Sequence, residues 1–158
     1  MEMKKERLNI MTPNFNKQYQ GLHCRVCLVM ENPSAPPLEI CEPFDIYKML
    51  RDEMIASDRE MLLSVLLNGM NRLIGVETVA IGGLHSCMMI PRDLFKSAIL
   101  ANAASIIVCH NHPSGDLTPS IQDLKMTHKV VKAGNILGIK VLDHLIISHE
   151  GFRSIINK

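Results

Sequence analysis

The chain has 158 residues, of which 47% are hydrophobic and 21% charged. This composition predicts one globular domain and excludes an intrinsically disordered chain. Seventeen lysines and arginines against sixteen acidic residues leave a formal net charge of +1, so no overall field draws the protein to nucleic acid or anionic lipid. Aromatic residues make up only 4%, which disfavours a single-strand binder that stacks bases on aromatic side chains.

We expect a cytoplasmic protein that makes no contact with a membrane, because the sequence shows no targeting signal and no disulfide pattern. No apolar run reaches the length of a membrane span, and residues 1–16 lack the apolar core of a signal peptide. Five scattered cysteines do not indicate a disulfide framework. Cys24 and Cys27 have the spacing of a metal or redox pair, but a single pair on a predicted strand favours a structural role.

The first third of the chain predicts an arm, a strand and a helix. Residues 1–20 are polar and aperiodic, so we expect a loose N-terminal arm ahead of a domain over residues 21–158. Residues 24–30 are typical of a strand, and a loop with three prolines follows. Apolar residues at helical spacing predict a helix over 43–55, which Pro43 is suited to begin.

The middle of the chain predicts a hairpin and a second helix. Residues 61–67 form an apolar run of strand length, and residues 73–81 resume a strand pattern. The turn residues Asn68-Gly69-Met70-Asn71 between them favour a hairpin. A short strand is expected over 87–90, and a helix that Pro91 begins is expected to run to about Ala103.

A buried strand, a polar loop and a third helix are predicted next. Residues 105–109 are apolar after the first position, which is typical of a strand buried on both faces. Residues 110–119 are rich in polar residues, proline and glycine, and predict a loop. The helix that follows is expected over 119–133, with Thr118 placed to cap it and Gly134 to end it.

The last elements complete a single α/β domain. Residues 140–147 predict a long strand, and residues 152–156 predict a short strand after a turn. Strands and helices alternate along the chain, but hairpins interrupt the alternation. The expected architecture is therefore an α/β fold with a mixed sheet flanked by helices.

The candidate site is a group of metal-ligand residue types around the polar loop. His110 and His112 are two residues apart at the end of an extended strand, so both imidazoles point to one side. Asp123 follows Ser120 by three residues and shares its helix face. The loop is short enough to return that face to the histidines. Three protein ligands with one open position are typical of catalytic zinc, so one Zn²⁺ per chain is predicted.

Such a site needs a general base, and a glutamate is the usual choice. Glu53 lies among other charged residues on a predicted helix, which is typical of a solvated face. Glu60 precedes the apolar run of 61–67, at the edge of the predicted sheet. Glu77 lies within a predicted strand and fits an outward polar position. The residues alone leave all three open.

The spacing His-x-His, seven residues, Ser, two residues, Asp resembles the JAMM (JAB/MPN) metalloprotease motif. His110, His112, Ser120 and Asp123 match it position by position. The fuller string His-Asn-His-Pro-Ser-Gly-Asp is similar to the bacterial RadC family, a group named for DNA repair. The blocks Asn71-Arg72-Leu73-Ile74, Ile90-Pro91-Arg92-Asp93 and Asp143-His144-Leu145-Ile146 agree, and the resemblance covers roughly residues 22–156.

This resemblance implies the MPN, or cytidine-deaminase-like, α/β sandwich and metal-assisted hydrolysis of an amide or isopeptide bond in a protein or peptide. It implies that His110, His112 and Asp123 hold zinc and that Glu60 takes the proton of the water. Ser120 would donate a hydrogen bond to the oxyanion, although a capping role at the helix start competes nearly evenly. The length is similar to that of short family members that consist of the domain alone.

Two other functions compete with hydrolysis. The first is a DNA repair or recombination accessory module whose metal site is not catalytic, and the second is a metal-dependent nuclease. The near-neutral charge predicts that any DNA binding is weak, since Lys125, Lys129 and Lys132 form at best a small basic patch. Asp143 and His144 are interpreted as structural or as supporting the site. Self-association of the chain stays open.

Overall fold

The computed structural model describes residues 38–82 and 90–157, which form three helices and five strands. In chain order these are α1 (Pro43–Ala56), β1 (Met61–Leu67), β2 (Leu73–Ile81), α2 (Pro91–Leu100), β3 (Ser105–Asn111), α3 (Ile121–Leu137), β4 (Lys140–Ser148) and β5 (Gly151–Ser154). The predicted arm over 1–20, the predicted strand over 24–30 and residues 87–89 lie outside the described residues. No helix within the described ranges is both long and apolar enough to cross a bilayer.

The five strands form one mixed sheet in the order β2-β1-β3-β4-β5. β1 is antiparallel to both β2 and β3, β3 is parallel to β4, and β4 is antiparallel to β5. Helix α1 packs on one face of the sheet, against β4 and β5, while α2 and α3 lie on the other. We call these the α1 face and the α3 face. The predicted α/β fold with a mixed sheet between helices is confirmed.

The sheet separates two apolar cores, because successive side chains of a strand point to opposite faces. All seven residues of β1 and all seven of β3 are buried, which explains why apolar residues predominate in both strands. The core of the α1 face includes Ile46, Leu50, Met54, Leu63, Val65, Ile107, Cys109, Leu145 and Ile147. That of the α3 face includes Leu62, Leu66, Leu94, Phe95, Ile106, Val108, Val130 and Val141.

Helix α3 begins and ends later than the sequence indicated. Ser120, not Thr118, is its N-cap, because Ser120 and Asp123 form a reciprocal capping box. Gly138, with a φ of 71°, ends the helix, and Gly134 lies inside it. A Cβ at position 134 would lie 2.5 Å from the carbonyl oxygen of Ile139, so close packing requires glycine there.

Other boundaries differ by two or three residues. Helix α2 stops at Leu100 instead of about Ala103, since Asn102 adopts a left-handed φ of 51°. β3 runs two residues beyond the predicted Cys109, because His110 and Asn111 continue the pairing with β4. The predicted hairpin of β1 and β2 is present, and β5 ends two residues before the predicted end of its strand.

A bulge in β4 decides which of its side chains reach each face. Ile106 pairs with Val141 and the next residue of β3, Ile107, pairs with Asp143. The extra residue, Leu142, reverses the alternation along β4. Asp143 therefore joins Ile107 on the α1 face, and the residue after it, His144, lies on the α3 face.

Candidate metal centre

Two histidines meet at the carboxyl end of β3. His110 is completely buried on the α3 face, opposite Leu62 of β1. The N–H of His112 donates to the carbonyl of Ile147 at 2.9 Å, so the chain stays extended one residue beyond the strand. The two side chains consequently share a face, and their Nε2 atoms lie 3.0 Å apart.

Asp123 completes the group from the first turn of α3. Its Oδ1 lies 3.5 Å from Nε2 of His110, and its Oδ2 lies 3.8 Å from Nε2 of His112. Two atoms bound to one tetrahedral zinc at ordinary bond lengths are about 3.3 Å apart. The donor atoms of these three side chains thus have both the chemistry and the separations of a zinc site. The structure brings together the three predicted ligands.

The carboxylate of Asp123 is held in place by Ser120. The backbone N–H and the hydroxyl of Ser120 each donate to Oδ2 at 2.7 Å, which leaves Oδ1 directed toward His110. Burial of Asp123 opposes its ionisation, but the hydrogen bonds it accepts, including both from Ser120, outweigh burial and hold the pKa of the carboxyl well below its usual range. Asp123 is therefore an anionic carboxylate with one oxygen already hydrogen-bonded.

The same contacts bear on the two interpretations of Ser120. Its Oγ accepts from the N–H of Asp123 at 3.1 Å, which is the capping role. Its proton goes to the Asp123 carboxylate. To stabilise an oxyanion, the hydroxyl would have to release that bond, so the oxyanion role stays a prediction.

His112 is oriented by the loop that follows it. Its Nδ1 lies 2.5 Å from the carbonyl oxygen of Asp116. A carbonyl only accepts hydrogen bonds, so Nδ1 carries the proton and the Nε2 of neutral His112 presents a lone pair to the site. The side chain of His112 is 13% exposed, whereas those of His110 and Asp123 are almost completely enclosed. The site is open to solvent on the His112 side.

Glu60 lies immediately before β1 and is half-buried. Met61 points into the core of the α1 face, so the alternation of the strand assigns Glu60 to the α3 face with His110. Because β1 and β3 are antiparallel and Leu62 pairs with His110, Glu60, two residues before Leu62, is opposite His112, two residues after His110. Its carbonyl accepts from the N–H of Gly82 at 2.8 Å, which fixes the backbone at the end of β2.

Asn111 holds the segment that carries Glu60, and sequence reasoning did not single it out. Its side-chain amide donates to the carbonyls of Met54 and Arg59 at 3.0 Å each, and its Oδ1 accepts from the N–H of Met61. The peptide groups on both sides of Glu60 are thereby bound to β3. The available signal was its position between the two histidines of the motif.

The two other candidate bases lie elsewhere. Glu77 pairs with Ser64 of β1, which follows Glu60 by four residues. Glu77 is therefore displaced from Glu60 by roughly 13 Å along the strand direction. Its carboxylate accepts from Ser97 and lies 3.6 Å from the ammonium of Lys96. Glu53 is exposed on α1, on the opposite face of the sheet. The geometry favours Glu60.

A second buried histidine, His144, contacts the Nδ1 side of the His110 ring. His144 lies with its Nε2 2.8 Å from Nδ1 of His110 and its Nδ1 2.6 Å from Oγ1 of Thr127. Thr127 in turn donates to the backbone carbonyl of Asp123 at 2.7 Å. Burial lowers the pKa of His144 well below its usual range, and the neighbouring His110 lowers it further, so the ring is neutral.

A crevice of about 210 Å³ adjoins His112 at the carboxyl ends of the parallel strands β3 and β4. Ile55 and Pro113 contribute apolar surface, and Ser57 and Asp58 contribute polar groups. The crevice is large enough for a side chain or a short segment of extended peptide beside His112.

Comparison with known proteins agrees with the resemblance in the motif. The RadC-like JAB domain family matches residues 40–158. A UPF0758 protein of Caldanaerobacter subterraneus subsp. tengcongensis is 49% identical over 119 residues, which is 75% of this chain and 51% of that protein. A UPF0758 protein of Moorella thermoacetica is 48% identical over 116 residues, covering 73% and 51% of the two chains.

The similarity extends to archaea. A UPF0758 protein of Methanosarcina barkeri is 39% identical over 120 residues, which is 76% of this chain and 52% of that protein. The chain thus spans about half the length of the curated relatives it matches. Because the family match covers nearly every described residue, the chain belongs to the RadC family and carries its RadC-like JAB domain.

Proposed function

We propose that this chain is a zinc-dependent hydrolase of the JAMM type that cleaves an amide or isopeptide bond in a protein or peptide. One observation carries the proposal. Two imidazole nitrogens and a carboxylate, from β3, the following loop and α3, converge with separations of 3.0 to 3.8 Å. A buried carboxylate facing two imidazole nitrogens is a costly arrangement without a cation, and zinc suits this donor set.

In the proposed centre, Nε2 of His110, Nε2 of His112 and Oδ1 of Asp123 would hold the metal. Zinc, when bound, lowers the pKa of water in its open position and polarises a carbonyl. His112 borders the solvent-exposed side and lines the crevice, so a substrate in the crevice would reach the three donor residues from the side of His112. Ser120 keeps Asp123 in its ligating orientation.

Glu60 is the proposed general base. It lies on the same sheet face as His110, and the hydrogen bonds of Asn111 hold the peptide groups on each side of it. The carboxylate would take a proton from the attacking water and pass it to the nitrogen of the leaving amine. Asn111 thus acts on catalysis by positioning Glu60.

The crevice beside His112 is the proposed place for the substrate chain. Its mixture of apolar and polar groups suits a polypeptide segment, with Ile55 and Pro113 in position to contact a side chain. The formal charge of +1 gives little attraction for a phosphate backbone, which favours an amide over a phosphodiester substrate.

Zinc content and cleavage test the proposal together. Elemental mass spectrometry is expected to find one zinc per wild-type chain and none after His112→Ala. His149→Ala is the matched control, because His149 lines the crevice but is not one of the three donors and should leave zinc in place. Quenched fluorescent peptides and a lysine ε-amide probe should be cleaved by the zinc-loaded wild type and not by His112→Ala.

Two results would overturn the assignment. A His112→Ala protein with a full equivalent of zinc would place the metal elsewhere. Zinc-loaded wild type that cuts duplex DNA and neither amide probe would replace the hydrolase with the nuclease.

A further inference from the structure

The buried hydrogen bonds behind the metal centre form a continuous path with a fixed direction. It runs from Nδ1 of His110 to Nε2 of His144, from Nδ1 of His144 to Oγ1 of Thr127, and from Thr127 to the backbone carbonyl of Asp123. All four residues are buried on the α3 face. The path therefore begins and ends at two of the three proposed ligands.

The direction follows from counting protons, starting at Thr127. A hydroxyl has one proton, and here it must go to the Asp123 carbonyl, because a carbonyl only accepts. Toward His144, Oγ1 of Thr127 is then an acceptor, so Nδ1 of His144 carries the proton. The Nε2 of a neutral His144 is left with a lone pair.

This lone pair determines the state of His110. Since Nε2 of His144 accepts, Nδ1 of His110 must be the donor across their 2.8 Å contact. The proton of neutral His110 then lies on Nδ1, and its Nε2 lone pair faces His112 and Asp123. Reversing the path would put a proton on Nε2 of His110, between the ring and the metal.

We propose that His144 and Thr127 are positioning residues of the metal centre, which keep the proton of His110 on Nδ1 and its Nε2 free for the metal. The proposal rests on the proposed zinc site. It also gives a role to the bulge at Leu142, which turns His144 toward the α3 face. Loss of such a supporting hydrogen bond typically weakens metal binding 10- to 100-fold.

A pair of substitutions at position 127 tests the proposal. Thr127→Val keeps the shape of the side chain but removes the hydroxyl, whereas Thr127→Ser keeps the hydroxyl. Competition with a chromophoric chelator measures zinc affinity. We expect Thr127→Val to weaken it by about 10- to 100-fold and Thr127→Ser to stay within about threefold of wild type. Equal losses in both variants would overturn the proposal.

Variants at position 144 separate positioning from folding. His144→Gln retains an acceptor oxygen near the position of Nε2, and His144→Leu has none. Zinc affinity should be closer to wild type in the glutamine variant. If the two variants bind zinc equally, His144 has only a packing role. Thermal unfolding without zinc checks that each variant folds.

Nitrogen-15 NMR of the metal-free wild type at pH 8 reads the protonation of His110 directly. We expect a proton on Nδ1 and none on Nε2, and a proton on Nε2 would overturn the proposal. These results are distinguishable from failure of the zinc site. Wild type that binds no zinc removes the proposed function, while wild type that binds zinc with equal Thr127 variants removes only the positioning role.

Discussion

The two faces of the sheet differ in how they use their buried polar side chains: on the α1 face Asn111 and Asp143 bind backbone groups, whereas on the α3 face His110 contacts other polar side chains. Cys109 and Leu145 point into the α1 core, and burial raises the pKa of the Cys109 thiol so that it stays protonated. The next residue of β3, His110, points to the α3 face and is equally buried. The candidate centre therefore directly adjoins the apolar core.

The adjacent residues Asp143 and His144 show the same contrast at its sharpest. On the α1 face, Oδ1 of Asp143 accepts from the N–H of His144 at 2.7 Å, from Ser154 at 2.8 Å and from the N–H of Ile156 at 3.3 Å. These bonds hold the end of the described chain. On the α3 face, the His144 ring contacts His110. The bulge thus directs the anchoring carboxylate of Asp143 to the α1 face and the ring of His144 to the α3 face.

The largest effect is expected from replacing the proposed general base on the α3 face. Glu60→Gln should retain zinc and lower the rate of amide hydrolysis by about 10²- to 10⁴-fold, as is typical when a general base is removed. Glu77→Gln is the matched control, since Glu77 lies on the same face but is engaged by Ser97 and Lys96. Steady-state kinetics with the peptide probes measures both. A dead Glu77→Gln enzyme would transfer the role to Glu77.

Asp143→Ala tests whether the two faces are separable. The substitution leaves three donors without their acceptor, so the free energy of unfolding should fall by about 3 kcal/mol. Zinc affinity should fall far less than in His144→Leu, because the carboxylate points away from the centre. Urea unfolding and chelator competition measure the two quantities. A comparable loss of zinc affinity in both variants would abolish the distinction.

Gly134→Ala tests how tightly α3 is packed on its face. Alanine normally stabilises a helix interior relative to glycine, but here its Cβ would lie 2.5 Å from the carbonyl of Ile139 and 3.2 Å from the ring of Phe95. We expect the free energy of unfolding to fall by about 1–3 kcal/mol. Asn135→Ala, at an exposed position of the same helix, should be neutral or stabilising. Stabilisation by Gly134→Ala would mean that α3 can move away from the sheet.

Local patterns account for what the sequence predicted correctly. The hairpin depends on its turn residues, and the donor triad depends on a two-residue spacing at a strand end and a capping box at a helix start. These relations involve residues close together in the chain. The fold class and the convergence of His110, His112 and Asp123 could therefore be read from the sequence.

Features that depend on distant contacts could not be predicted in this way. Gly134 was expected to end α3, but the carbonyl of Ile139 requires a glycine inside the helix. Asn111 acts through peptide groups more than 50 positions away in the chain. The contact of His144 with His110 depends on the pairing register of β3 and β4, which the bulge shifts. A one-residue change of register reverses every side chain beyond it, and no single-strand pattern reports that change.

The smallest expected effect concerns His144 on the α3 face, which should make the free energy of unfolding depend on pH. Its folded-state pKa lies below that of an exposed imidazole, about 6.5, so the unfolded chain takes up the proton first as pH falls. The contribution of His144 is thus fully present above about pH 6.5 and is lost at lower pH, by at most about 2 kcal/mol at pH 5. Urea unfolding of metal-free protein at several pH values measures this slope. His144→Gln should flatten it, whereas His128→Gln, at an exposed position of α3, should not. A slope that persists in His144→Gln would show that another group takes up the proton, and the neutral ring assigned to His144 would lose its support.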